Sequence, residues 1–285
     1  MEKTKVVVTG GAGFIGSHLC EKLYQLGNDV VSVDNYFTGS VDNHVEGVTY
    51  VNGDAAELIE LVDTAEYVFH LGEYSRVEQS FDDIDYVWEN NKNGIYGVLK
   101  FCKLHNAKLI YAGSSTKYAD DGQGPHQSPY AWTKASNTDF VQAYAEWFNL
   151  KYAITYFYNV YGPREISSGK YATLIAKFTK QAMNGEPLTI VSPGTQKRNF
   201  THISDIVDGL IKVGNFGTGD GYGIGNPSAY SVNEVATMFS DKTEMLPMRK
   251  GNRMSAPVVT NKVQSLGWQA KVSLVDYVNS LTMAD

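Results

Sequence analysis

Three side chains of this sequence could together move a proton: Ser114, Tyr130 and Lys134. A tyrosine hydroxyl titrates at about pH 10 on its own and is a poor base at neutral pH. A neighbouring ammonium favours the phenolate and lowers that value. Tyr130 and Lys134 are four residues apart in a stretch of helical periodicity, so both project from one face of the helix. Ser114 closes the predicted strand Lys108-Leu109-Ile110-Tyr111-Ala112-Gly113, where its hydroxyl could bond a substrate oxygen and position the transfer. Tyr-x-x-x-Lys by itself is weak evidence, because a packed tyrosine beside a solvated lysine is its commonest meaning. The setting decides.

The helix that carries the pair begins at Ser128-Pro129, a serine at the cap and a proline at the first helical position, and runs to about Asn149. At the start of the chain Val6-Val7-Val8 predicts a short buried strand, because β-branched side chains suit a sheet covered on both faces. Thr9-Gly10-Gly11-Ala12-Gly13-Phe14-Ile15-Gly16 follows, then an amphipathic helix. Strand, glycine turn, helix is the setting in which Gly-x-Gly-x-x-Gly binds a dinucleotide. Gly11 permits the tight turn, Gly13 lets a pyrophosphate approach the backbone, and Gly16 lets helix and strand pack closely. The phosphates would sit on the free N–H groups of the helix N-terminus. A second strand, 29–34, ends on Asp34, 18 residues after Gly16. A carboxylate there accepts from ribose hydroxyls and repels a 2′-phosphate, which favours NAD over NADP. An oxidised nicotinamide would add a second positive charge beside Tyr130, and Lys134 could bond its ribose.

Further strands are predicted at 48–54, 67–72 and 151–158, with one long helix over 83–105, so strands alternate with helices in an α/β, doubly wound parallel sheet. Beyond Gly162-Pro163 the alternation turns irregular, with a helix near 171–184, a strand at 187–191 and a basic turn at 196–199. This predicts a dinucleotide-binding domain over 1–162, to which the chain returns around 199–228, and a smaller substrate lobe over 163–285. The net charge of −7 and the absence of a Lys/Arg run argue against a nucleic-acid partner. No apolar run is long enough to span a bilayer, and Cys20 and Cys102 show no metal or redox spacing. Six scattered histidines suggest no metal site. The expectation is a cytoplasmic protein with reduced thiols.

Taken together these segments resemble the extended short-chain dehydrogenase/reductases, specifically their nucleotide-sugar epimerase/dehydratase branch, over essentially the whole chain. The likeness rests on residues 9–16, Val33-Asp34-Asn35, Gly53-Asp54, Phe69-His70-Leu71, Asn91, the Ser114/Tyr130/Lys134 set, Asn159-Val160-Tyr161-Gly162-Pro163-Arg164, Arg198-Asn199-Phe200-Thr201-His202-Ile203-Ser204-Asp205 and the Arg249-Lys250-Gly251-Asn252 turn. It implies that NAD is held by Gly10, Gly11, Gly13, Phe14, Ile15, Gly16, Asp34, Asn35, Asp54, Ala55, Leu71, Asn91, Tyr130, Lys134 and Tyr158. It implies a nucleotide-diphosphate sugar, with a UDP-sugar favoured, held by Ser75, Ser114, Ser115, Asn159, Arg198 and Arg249. The helices at 83–105 and 129–149 resemble those that pair as a four-helix bundle in the family's homodimers.

The departures narrow the chemistry. Dehydrating members carry Asp-Glu after the strand-end hydroxyl residue, and decarboxylating members carry a Glu there; those acids move the protons of elimination or enolisation. Here Ser115 and Thr116 occupy those places, which favours an NAD-dependent 4-epimerase acting through a 4-keto sugar. The alternatives are a nucleotide-sugar reductase or dehydrogenase with net hydride transfer and, in a different class, a catalytically silent NAD-binding module. The family's Ala-Ala after the fourth strand is Gly72-Glu73 here, which places an unexpected carboxylate near the cofactor. The interval from Ser114 to Tyr130 is short and the C-terminal lobe is trimmed.

Overall fold

In the computed structural model residues 3–118, 123–248 and 257–282 are described. The chain begins β1 (Lys5–Thr9), α1 (Phe14–Gln25), β2 (Asp29–Asp34), β3 (Thr49–Asn52), α2 (Leu58–Leu61) and β4 (Tyr67–His70). It continues through α3 (Ile84–Trp88), α4 (Gly94–His105), β5 (Lys108–Ser114), α5 (Pro129–Phe148) and β6 (Tyr152–Phe157). The remainder is β7 (Val160–Tyr161), α6 (Leu174–Met183), β8 (Leu188–Val191), β9 (Lys197–Asn199), β10 (Thr201–His202) and α7 (Ile203–Phe216). It closes with β11 (Gly219–Ile224), β12 (Ala229–Ser231), α8 (Val232–Thr237), β13 (Thr243–Leu246), α9 (Asn261–Gln264) and α10 (Leu274–Thr282).

Seven of the strands form one sheet in the order β11-β6-β5-β4-β1-β2-β3, every neighbouring pair parallel. β1 explains why the sheet is central. Its Val7 packs into one hydrophobic cluster with Leu58, Ile95, Val98 and Phe101, while Val6 and Val8 pack into another with Leu19, Leu23, Ile206 and Leu210. Side chains alternate across a strand, so an unbroken run of valines fills both faces. The chain steps outward from β1 to β3, then returns to β4 on the other side of β1. The direction of winding therefore reverses between β1 and β4, and a crevice opens beyond the C-terminal ends of those strands.

A third cluster lies outside this sheet, with Ile175 and Phe178 of α6, Leu188 and Ile190 of β8, Val235 of α8 and Leu274 and Val278 of α10. Three two-stranded sheets accompany it: β7 with β10, β8 with β13, and β9 with β12. Residues 197–199, expected as a basic turn, are thus a strand that pairs antiparallel with Ala229–Ser231. The helix expected over 83–105 is interrupted by a π-helical turn at Glu89–Asn93; such turns insert one residue and shift the face that follows. That expected near 171 begins at Leu174. Among the described residues no helix is long and apolar enough to cross a membrane. Both cysteines are buried, and burial pushes the Cys20 thiol up to about 12.

Candidate active site

The crevice between β1 and β4 is the mouth of a cleft of about 990 Å³ that runs from the glycine turn to the third cluster. At its first end the backbone makes the surface. Gly10 takes φ 74°, a left-handed conformation that favours glycine, and donates its N–H to Val33 O at 2.8 Å. Gly13 caps α1 with no side-chain cap bond, so the first N–H groups of that helix stay available to an anion. A Cβ on Gly16 would lie 2.0 Å from Gly10 O, which shows how closely helix and turn meet. Gly10, Gly13, Phe14, Ile15 and Gly16 all line the cleft. Gly11 lies beneath them, where its Cβ would meet Ser32 Oγ.

Asp34 is buried at the end of β2. Its Oδ2 accepts from Ala12 N at 2.9 Å and its Oδ1 from Tyr36 N at 2.8 Å. Burial pushes its carboxyl upward, against the pull of these backbone N–H groups. Each carboxylate oxygen keeps a lone pair for a ribose hydroxyl. Asn35, Ala55 and Leu71 line the cleft too, and Asn35 Nδ2 donates to Asp54 Oδ1 at 2.6 Å. Asp54 is exposed and steadies Asn35 from outside the lining. An uncapped helix N-terminus, a left-handed glycine and a buried strand-end carboxylate fit a dinucleotide.

In the middle of the cleft stand the three proton-handling residues. The Ser128 side chain caps α5 by accepting from Ala131 N at 3.1 Å, which brings Tyr130 and Lys134 into its first turns. Tyr130 donates its hydroxyl to Ser114 Oγ at 3.1 Å, and Thr116 Oγ1 donates to the same oxygen at 2.9 Å. Thr116 N also donates to that oxygen, at 3.3 Å, so Ser114 acts as the acceptor within the cluster and its own proton is left for a ligand. Ser115 is buried and lines the cleft beside them. The Lys134 ammonium is buried and donates to Glu73 Oε2 and to Ala112 O.

Asn91 sits in the π-helical turn, fully buried behind the cleft. Its Nδ2 donates to Thr133 Oγ1 at 3.0 Å and its Oδ1 accepts from Tyr74 N at 2.7 Å. It ties α5 to the loop after β4 and does not line the cleft. Tyr158 points elsewhere as well: it is buried, and its hydroxyl accepts from Val259 N at 3.1 Å.

At the far end Ser75, Asn159 and Arg198 line the cleft. Asn159 holds φ 36° and donates to Asn199 O at 2.9 Å. Arg249 lies outside the described residues. Two residues that sequence reasoning missed stand here. Arg76 donates through Nε and Nη2 to Tyr171 O at 3.0 and 2.8 Å. Glu165 accepts from Gly162 N at 2.9 Å through Oε2, and burial pushes its carboxyl up to about 7. No motif marks either; Arg76 is placed by Tyr171, 95 residues further on, and Glu165 by the backbone of Gly162, three residues before it.

Comparison with known proteins accords with this geometry. A UDP-glucuronic acid decarboxylase of Arabidopsis thaliana is 30% identical over 297 residues, covering 95% of this chain, which spans 66% of that relative's length. A UDP-glucose 4-epimerase of Thermotoga maritima, solved with UDP-glucose, superposes with a TM-score of 0.90 at 26% identity, covering 98% of each chain. A UDP-glucose 4-epimerase of Thermus thermophilus, solved with NAD, gives 0.88 at 25% identity, covering 99% of this chain and 100% of that one. Residues 6–225 match the NAD dependent epimerase/dehydratase family as a whole, and with a cleft built for that cofactor the chain belongs to this family.

Proposed function

We propose that the protein is an NAD-dependent epimerase of a nucleotide-diphosphate sugar, inverting C4 of a UDP-glucose/UDP-galactose-type substrate through a 4-keto intermediate. The observation that carries this reading is the Tyr130–Ser114 contact at 3.1 Å with Thr116, not a carboxylate, as its third member. Bound NAD supplies a reversible hydride acceptor. Tyr130 takes the proton of the sugar 4-hydroxyl and returns it after inversion. Ser114 donates to the sugar oxygen and keeps it in line, and Lys134 holds the cofactor ribose. Arg198 holds the diphosphate by charge-assisted bonds, with Arg249 as its expected partner. In this reading residues 1–162 and the return segment 199–228 hold the cofactor, and 163–285 hold the sugar nucleotide.

Similarity to a decarboxylase motivates a second reading, in which a 4-keto uronic acid loses its carboxylate. The hydroxyls of Ser115 and Thr116 stand where that chemistry would place an acid, which favours the epimerase. The test is incubation with UDP-glucose, UDP-galactose, their N-acetylated analogues and UDP-glucuronic acid, read by chromatography. Interconversion of 4-epimers with no net NADH absorbance is expected. Carbon dioxide and a pentose product would establish the second reading instead.

The same proposal extends to assembly as a homodimer in the cytoplasm. Trp88 and Trp132 stack at 5.9 Å between ring centroids while 50% and 43% exposed. Tyr96 of α4 is 50% exposed on the adjoining helix. Covering such a patch with a second copy buries these rings. Sedimentation should give a dimer, and Trp88→Glu with Trp132→Glu a monomer.

A further inference from the structure

Glu73 has no part in the reaction just proposed, yet it is the most tightly held carboxylate near the reacting centre. Its side chain is 2% exposed. Oε2 accepts from Lys134 Nζ and, at 2.9 Å, from the Tyr111 hydroxyl. Oε1 accepts from Asn137 Nδ2 at 2.9 Å and stands 3.4 Å from His70 Nε2. Burial alone would push this carboxyl up; the Lys134 ammonium and His70 outweigh it and hold the group below the ordinary carboxylate range. The carboxylate is therefore ionised inside the protein.

We propose that Glu73 is a positioning residue that neutralises Lys134 and so sets the pH at which Tyr130 becomes a base. The proposal rests on the reading of Tyr130 as the acid–base group. An ammonium has three protons. Glu73 and Ala112 O take two, which aims the third into the cleft. The pair carries no net charge, so the pull of Lys134 on a nearby phenol is largely cancelled. The positive charges left to favour the phenolate are then the Arg76 guanidinium and, when the cofactor is bound, an oxidised nicotinamide ring. Among the described residues few other groups face this cluster. Lys92 of the π-helical turn is anchored on Ser136 Oγ at 3.1 Å and Asn137 Oδ1 at 2.8 Å. The Tyr111 ring lies 4.8 Å from Lys134 Nζ. Arg76 interacts electrostatically with Tyr130 and with Glu165.

The test is the pH titration of phenolate absorbance in the NAD-loaded protein, with Glu73→Gln compared to wild type. Each is subtracted against its Tyr130→Phe counterpart so that the difference isolates Tyr130. Glutamine keeps the size and the acceptor oxygen and removes the charge. The Tyr130 transition is expected about one pH unit lower in Glu73→Gln, a tenfold change in phenolate below the transition, and the rising limb of the turnover–pH profile should move with it. Coincident transitions would overturn the proposal, even with lowered thermal stability, which is all that a structural role predicts. Glu73→Asp, which withdraws the charge by one carbon, should move the transition the same way by less. It decides the matter if the glutamine variant does not fold, and no shift there overturns the proposal. Absence of turnover on every nucleotide sugar would sink the epimerase reading alone, because the absorbance titration does not require a substrate.

Discussion

The two ends of the cleft are built by different means. At the dinucleotide end the surface is backbone: a left-handed Gly10, an uncapped helix start at Gly13, and a strand-end Asp34 braced by two backbone N–H groups. Each of those parts is specified within about one βαβ unit. At the far end, which the proposed function gives to the sugar nucleotide, the surface is mostly side chains, with Arg76 on Tyr171 O and Asn159 on Asn199 O across remote segments and Glu165 under the nearby Gly162 N. The first end is fixed by backbone that belongs to the sheet itself; the second can be changed without rebuilding the sheet. Family membership therefore carries the cofactor, while the substrate depends on the side chains at the far end.

That contrast can be broken most forcefully at Gly16. A Cβ there meets backbone 2.0 Å away, and neither partner can swing aside. Gly16→Ala should cost about 3 kcal/mol of stability, the upper end for overpacking, and empty the protein of NAD. Calorimetry and the cofactor content of the purified protein would check both. Asp34→Ala tests the same end more gently. Loss of a charged acceptor for the ribose should weaken NAD about tenfold to hundredfold in a cofactor-binding titration, with the fold intact.

The difference in construction also explains what was legible beforehand. The valine run, the glycine turn and the acid closing β2 are local, and each appears in the structure where the pattern places it. The Tyr130–Ser114 contact needed only the helix start at Ser128 and the end of β5, both marked by residue type. Asn91 was harder. Residues 83–105 have one unbroken helical periodicity, and nothing in it announces the π-helical turn that buries this side chain behind the cleft. Glu73 stood out as an unexpected acid, but its partners Tyr111, Lys134 and Asn137 lie 38, 61 and 64 residues away. Lys197–Asn199 looks like a turn until its pairing with Ala229–Ser231 is known. Long-range pairing and cross-segment side chains are not written in local spacing.

At the far end of the cleft, Glu165 offers a test by pH. Burial raises its carboxyl to about 7 in the folded chain, so the folded state holds a proton that the unfolded chain releases nearer its ordinary range. Its contribution to stability is present below the unfolded value and lost as pH rises toward about 7. Glu165→Gln should thus be about 2 kcal/mol more stable than wild type at pH ~8, with the advantage gone at pH ~4; urea unfolding at the two pH values would show it. The smallest effect is expected at Arg198. Arg198→Gln should raise KM for the sugar nucleotide about tenfold with kcat nearly unchanged. A fall in kcat alone would move that arginine from ground-state binding to the reaction itself.

The central claim is that one tyrosine handles the proton of a redox-neutral inversion on a cofactor that stays bound. Its most direct test is Tyr130→Phe, assayed for turnover of UDP-glucose or UDP-galactose and for bound NAD in the same preparation. The account predicts that NAD is retained and that turnover falls by at least about a hundredfold, the usual weight of general acid–base catalysis. Near-normal turnover with NAD in place would contradict it.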